Sequence, residues 1–120
     1  MTNASSVNPA LSQRVHGLVK AYVYRKSKDK SGIEWSGDRN NVPAKYREMR
    51  EKVCTDAFLR LRACKAREDF VSYFTCTICS VPQFLPEAEY QTVANAILTD
   101  ERWEEVKALT MLALSGLSNV

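Results

Sequence analysis

The sequence predicts an all-α fold, a single helical bundle of about five helices. Three observations predict it. Apolar residues recur at steps of three and four over most of the chain. The four prolines fall at the boundaries of those periodic segments, not inside them. The one segment with β character, residues 67–81, has no second strand visible to pair with. At 120 residues the chain is one domain by size, 1–120, with 1–7 small, polar and expected to be flexible. A chain of this length buries about two-thirds of its unfolded surface, enough for a core without disulfides.

Each element has its own signal. Asn8-Pro9 is a helix start, with Asn as N-cap and Pro at the first helical position. Leu11, Val15, Leu18, Val19 and Tyr22 then share one face, and Gly32 is the expected stop. Residues 31–42 (SGIEWSGDRNNV) form the clear loop. Trp35 lies within it, and an indole in a loop docks either on its own core or on a partner. Pro43 opens a second helix to about residue 66, with a stripe of Tyr46, Met49, Val53, Ala57, Leu61 and Cys64. Phe58 and Leu59 lie off that stripe and imply a second contact surface. In 67–81, Phe70, Phe74 and Ile78 step by four, so a helix is expected. Residues 86–98 predict a short helix with Glu87 and Glu89 in its first turn. Thr99-Asp100 then caps a last helix, whose apolar face is Trp103, Val106, Leu109, Thr110, Ala113 and Leu117.

Charge is split along the chain. Residues 1–65 carry 14 Lys/Arg against 6 Asp/Glu, a net of +8, and residues 66–120 carry 3 against 8, a net of −5. A basic half suggests phosphate, and an acidic half suggests basic protein neighbours or another copy of the chain. The N-terminus has no basic and apolar leader pattern. The longest nearly apolar run, Ala108 to Leu117, is about half a membrane span. A cytoplasmic location with reduced cysteines is therefore expected.

Catalytic chemistry finds little support. His16 is the single histidine, and a lone helical His is far more often structural than catalytic. No Ser-His-Asp set and no phosphate-cradling glycine loop can be assembled. Cys76 and Cys79 form a lone CxxC. Zinc would need two more ligands, and Cys54, Cys64 and His16 are not at ligand spacing. Two small side chains packed in a helix interior is the simpler expectation, a thiol switch the weaker one. No metal, cofactor, membrane or small-molecule substrate is expected, and the chain is not expected to be an enzyme.

The cations have more geometry. Arg14, Arg25 and Lys28 fall within about 60° of each other on a helix, with Gly17 and Ala21 between them. Small residues at those positions let a strand or backbone approach closely. Asp29 is the one acid within that helix to offset six cations. Lys20 adds to this surface less directly, as do Arg47, Arg50, Arg60 and Arg62 on the second helix, where Glu48, Glu51 and Asp56 intervene. A solvated basic surface without ligand is the competing explanation, above all on the second helix. The twelve-residue loop is too long for a helix-turn-helix, so any contact should be with the nucleic-acid backbone and indifferent to sequence.

Several strings together resemble a known family. They are Lys20-Ala-Tyr-Val23, Val42-Pro43 with Tyr46-Arg47-Glu48, Asp69-Phe-Val71 leading to Tyr73-Phe-Thr75, Ile78-Cys-Ser-Val-Pro-Gln83, and Leu112-Ala-Leu-Ser115. In this order they are similar to the C-terminal helical region of the large subunit of a type I CRISPR Cascade complex, of the Myxococcus-like kind. That region can also be made from an internal start as the Cascade small subunit, and a start at Met1 fits this. The resemblance implies a non-catalytic subunit of an RNA-guided antiviral ribonucleoprotein, present in several copies. Its implied partners are the Cascade backbone and large subunits, other copies of itself, and target DNA held unwound in an R-loop. No family motif assigns the DNA contacts; Arg14, Lys20, Arg25, Lys28, Arg47, Arg50, Arg60 and Arg62 rest on charge and geometry alone. An alternative is a helical protein–protein adaptor without a nucleic-acid role, with Trp35, Phe58 and Leu59 as partner-binding anchors.

Overall fold

The structure is a computed structural model in which residues 9–36, 38, 40–80 and 102–118 are described. It consists of α1 (Pro9–Ser31), α2 (Ala44–Arg62), α3 (Arg67–Cys76), a 3-10 turn at Ile78–Ser80, and α4 (Trp103–Ser118). Among the described residues there is no strand, so the all-α expectation holds. The expected helix at 86–98, the Asn8 and Thr99-Asp100 caps and the segment 1–7 lie outside the described residues.

Helix α1 stops where Gly32 takes φ +67, a left-handed conformation that glycine adopts without a Cβ clash. The Gly32 N–H closes the end by donating to the Lys28 carbonyl at 2.9 Å. Lys28 and Lys30 stand in the last turn, where the helix dipole favours cations. Helix α2 begins after Pro43, which sits in an extended conformation with φ −59 and ψ 139. It ends through Ala63, whose N–H donates to the Leu59 carbonyl at 3.1 Å. Lys107 of α4 reaches across and donates to the Cys64 carbonyl at 2.6 Å, placing a cation at the C-terminal end of α2. In α3, Glu68 and Asp69 occupy the first turn, again in accord with the dipole. Glu104 and Glu105 do the same in α4, where Arg102 holds Glu105 through two bonds of 2.6 and 2.9 Å.

Helices α1, α2 and α4 pack on one another. Tyr24 near the end of α1 meets Tyr46 near the start of α2. Lys107 meets Cys64, and Leu114 and Ser118 line a pocket with Cys54 and Phe58, so α4 is antiparallel to α2. Helix α3 leans on α4, and the 3-10 turn closes against α1.

The core is the meeting of three stripes. Val15, Leu18, Val19, Tyr22 and Val23 come from α1, Val53, Cys54, Ala57 and Leu61 from α2, and Val106 and Leu114 from α4. Phe70 and Phe74, whose rings lie 5.4 Å apart, and Ile78 close one end. The face expected on α4 packs on the core, with Leu114 as an addition to it. Its centre is Val106, Thr110 and Leu114, while Leu109, Ala113 and Leu117 are its half-buried flanks. Thr110 tolerates full burial because its hydroxyl donates to the Val106 carbonyl at 2.7 Å.

Removing the Phe70 ring should cost about 3–5 kcal/mol, because that ring is fully buried against Phe74 and Trp103. Denaturant unfolding of Phe70→Ala checks this, and a loss below about 1 kcal/mol would place the core elsewhere. The core should also be sensitive to alkali. Burial pushes Tyr46 from 10.0 up to about 12, Cys54 from 9.0 up to about 11 and Cys79 from 9.0 up to about 12. The fold thus holds protons that the unfolded chain gives up earlier. Stability is fully present below the unfolded values and falls as pH rises through 9 toward 12. Thermal melts should show a midpoint that is level near neutrality and drops steadily across that window.

Candidate nucleic-acid interface

The flank of α1 is open at its N-terminal end. Arg14 is exposed, and a Cβ added at Gly17 would meet nothing within 4 Å. Ala21 is half-buried, so the line sinks toward the core midway. Lys20 and Arg25 are exposed and Lys28 is half-buried. Arg25 donates to Asp29 at 3.3 Å. Lys28 lies 3.3 Å from Glu34, a loop residue whose side chain is 90% exposed. The offset on this flank therefore includes Glu34 as well as Asp29, because the loop folds back over the end of α1. Both ion pairs are solvent-accessible, and such pairs contribute about 0–1 kcal/mol. A phosphate would displace either acid at small cost.

The α2 cations divide into separate groups. Arg47 and Arg62 are exposed. Arg60 is exposed, yet its guanidinium lies 5.3 Å from the Tyr73 ring centre and so ties α2 to α3. Arg50 departs from expectation. It is only 6% exposed, 5.9 Å from the Tyr46 ring centre, and its buried Nε has no hydrogen-bond partner among the described residues. Arg50 belongs to the inward stripe of α2, not to a solvent-facing basic surface. Lys107 was hidden in the acidic half of the sequence. It joins the Arg60 end of α2 only because α4 folds back antiparallel, and no local pattern signals that.

The three expected partner anchors separate. Trp35 docks on its own chain: its ring lies 4.5 Å from Tyr46 and 6.1 Å from Tyr24. Phe58 and Leu59 instead line one shallow pocket of about 250 Å³ between α2 and α4, with Cys54, Thr55, Leu114, Ser115 and Ser118. Leu59 is 52% exposed, and Leu112 on α4 is 69% exposed.

The thiols do not form a working pair. Cys76 is exposed at the last residue of α3, so it does not pack in a helix interior as expected. Cys79 is buried in the 3-10 turn, where burial raises it to about 12 and suppresses the thiolate that exchange requires. Among the described residues no group of His, Cys, Asp or Glu is placed to hold a metal ion. No described helix is long and apolar enough to cross a membrane. His16 is exposed on α1.

The model of one family, the type I-B CRISPR Cas8b C-terminal domain, matches residues 1–117. No curated protein and no solved structure matches the chain.

The cysteine environments predict a labelling order. A maleimide should modify Cys76 in the folded protein, and Cys54, Cys64 and Cys79 only on unfolding. Peptide mass mapping after brief labelling reads this directly. Rapid native labelling at Cys79 would contradict the burial described.

Proposed function

Because the chain belongs to the type I-B CRISPR Cas8b C-terminal domain family, we propose that it acts as a small subunit of the Cascade complex and steadies unwound target DNA through sequence-independent backbone contacts. A Cascade-associated role is the coarse statement that the family supports. The finer reading is carried by one observation. Among the described residues, the ion-pair partners of the α1 flank cations are solvent-accessible acids, and the flank is open at Gly17. Arg14, Lys20, Arg25 and Lys28 form this phosphate-facing surface, with Arg47, Arg60 and Arg62 as further contributors. Arg50 drops out of the set through its burial.

No chemical step is part of this role. Base pairing with the guide RNA supplies sequence recognition, and the protein supplies charge and shape. The Phe58 and Leu59 pocket favours an accompanying protein contact, with the Cascade backbone and large subunits or another copy of the chain as partners. That pocket alone would also suit an adaptor without nucleic-acid contact, and the salt response separates the two.

Single-stranded DNA binding to the assembled complex should weaken linearly in log salt. Arg14→Ala, Arg25→Ala and Lys28→Ala should each flatten the slope by about 0.7 to 1, the effect of losing one phosphate contact per site. Arg50→Met should leave the slope unchanged, since that guanidinium is buried. Slopes unaltered by all three flank substitutions would sink the nucleic-acid assignment and leave the adaptor.

A further inference from the structure

The loop indole and the rings beneath it form a feature that backbone contact does not require. Trp35 is fixed from two sides. Its carbonyl accepts from the Tyr24 hydroxyl at 3.4 Å, and its Nε1 donates to the Asp38 carbonyl at 3.2 Å. Three rings gather here. Trp35 to Tyr46 is 4.5 Å at 46°, Tyr24 to Trp35 is 6.1 Å at 44°, and Tyr24 to Tyr46 is 6.1 Å at 52°. Tyr46 is 2% exposed and makes the floor. Trp35 is half-buried in the loop, and Tyr24 is half-buried beside it.

The Trp35 carbonyl, the Trp35 indole N–H and the Tyr24 hydroxyl are already engaged. The indole N–H is the single donor of a Trp side chain, and it is bonded within the loop. What remains on offer is aromatic surface without a polar demand of its own. The neighbourhood is cationic. Lys20 and Lys28 lie one turn to either side of Tyr24, and Arg47 follows Tyr46 in sequence. The Arg50 guanidinium sits 5.9 Å from the Tyr46 ring centre, and its buried Nε has no hydrogen bond among the described residues. Glu34 and Asp38 are the acids of the loop; Glu34 is bound to Lys28 only through an exposed contact.

We propose that Trp35, braced by Tyr46 and Tyr24, forms a stacking platform for a base of single-stranded nucleic acid. Lys28 and Lys20 hold the phosphates beside it, and the outward-facing Glu34 gives up Lys28 to phosphate. Every base has a π-face, so the platform is indifferent to sequence, as backbone binding is. A protein partner is disfavoured here. Apolar anchors of protein interfaces fill concave pockets, and among the described residues a concave pocket lies away from this corner, between α2 and α4. The proposal rests on the nucleic-acid reading above and adds a contact that salt does not screen.

That difference supplies the test. The assembled complex is titrated with a thymidine strand and with a strand of the same length made of abasic sites, which keeps the phosphates and removes the bases. The wild-type complex should bind the abasic strand about tenfold more weakly. Trp35→Ala should lose about tenfold on the thymidine strand at every salt concentration, keep the salt slope, and bind both strands alike. Trp35→Phe should retain most of the preference, since a ring remains. Equal wild-type affinity for the two strands with a steep salt slope would overturn the platform and spare the phosphate reading. Absence of a flank-dependent salt slope, with loss of subunit assembly in Trp35→Ala, would overturn both and assign Trp35 to a protein contact. Should Trp35→Ala fail to fold, the abasic comparison on wild type and Trp35→Phe still decides.

Discussion

The close packing of α2 against both α1 and α4 is the constraint on which the rest of the molecule depends. The seam uses small and β-branched residues: Val53, Cys54 and Ala57 on α2 face Val15, Val19 and Val23 on α1 and Val106 on α4. Such residues let helix axes approach, and every substituent larger than these would separate two interfaces at once. Helix α1 is covered by α2, α4 and the 3-10 turn. One side is left to solvent, and it is there that Arg14, Gly17 and Arg25 lie. The exposed cationic flank is thus a consequence of how tightly the other side is enclosed.

The cations of the chain do two kinds of work. Lys107 satisfies a carbonyl at the end of α2, Arg60 bridges to Tyr73, and Arg50 packs on Tyr46. Each of these contributes to the fold, and each would be missed if lost. Arg25 and Lys28 are held differently, by acids that are themselves largely in water. Desolvation costs little when such a pair is exchanged for another anion. The distinction between structural and available cations is therefore one of partners and burial, not of charge count. The net +8 of the first half overstates what a ligand would meet.

Much of the fold was legible because periodicity and breakers agreed. Gly32 stops α1, Pro43 opens α2, and residues 67–76 are helical because a lone β-prone segment has no ladder to join. On α4 the core face is the expected one with Leu114 added, and it includes Thr110. Its hydroxyl bonds within the helix, so it counts as core, and Leu114 one turn later follows it inward. Arg50 was legible and overlooked. Tyr46, Arg50, Val53, Ala57 and Leu61 step by four, three, four and four, which puts the guanidinium on the buried stripe. Residue type outweighed position in that reading. Two features were not legible at all. Glu34 turns back to Lys28 just past the Gly32 stop, and Lys107 reaches Cys64 across 43 residues because α4 folds back on α2.

Geometry along α2 bears on how the two proposed surfaces relate. Trp35 packs at Tyr46, and the Phe58 pocket begins at Cys54, eight residues later and about 12 Å along the helix. A base stacked at the first site and a protein side chain seated at the second would not compete for space. They would share a rigid element, since α2 is buried between two neighbours over that whole length. The two surfaces are separate contacts, placed in relation to each other by one helix. The small-residue seam that permits close packing is also what supplies the stiffness.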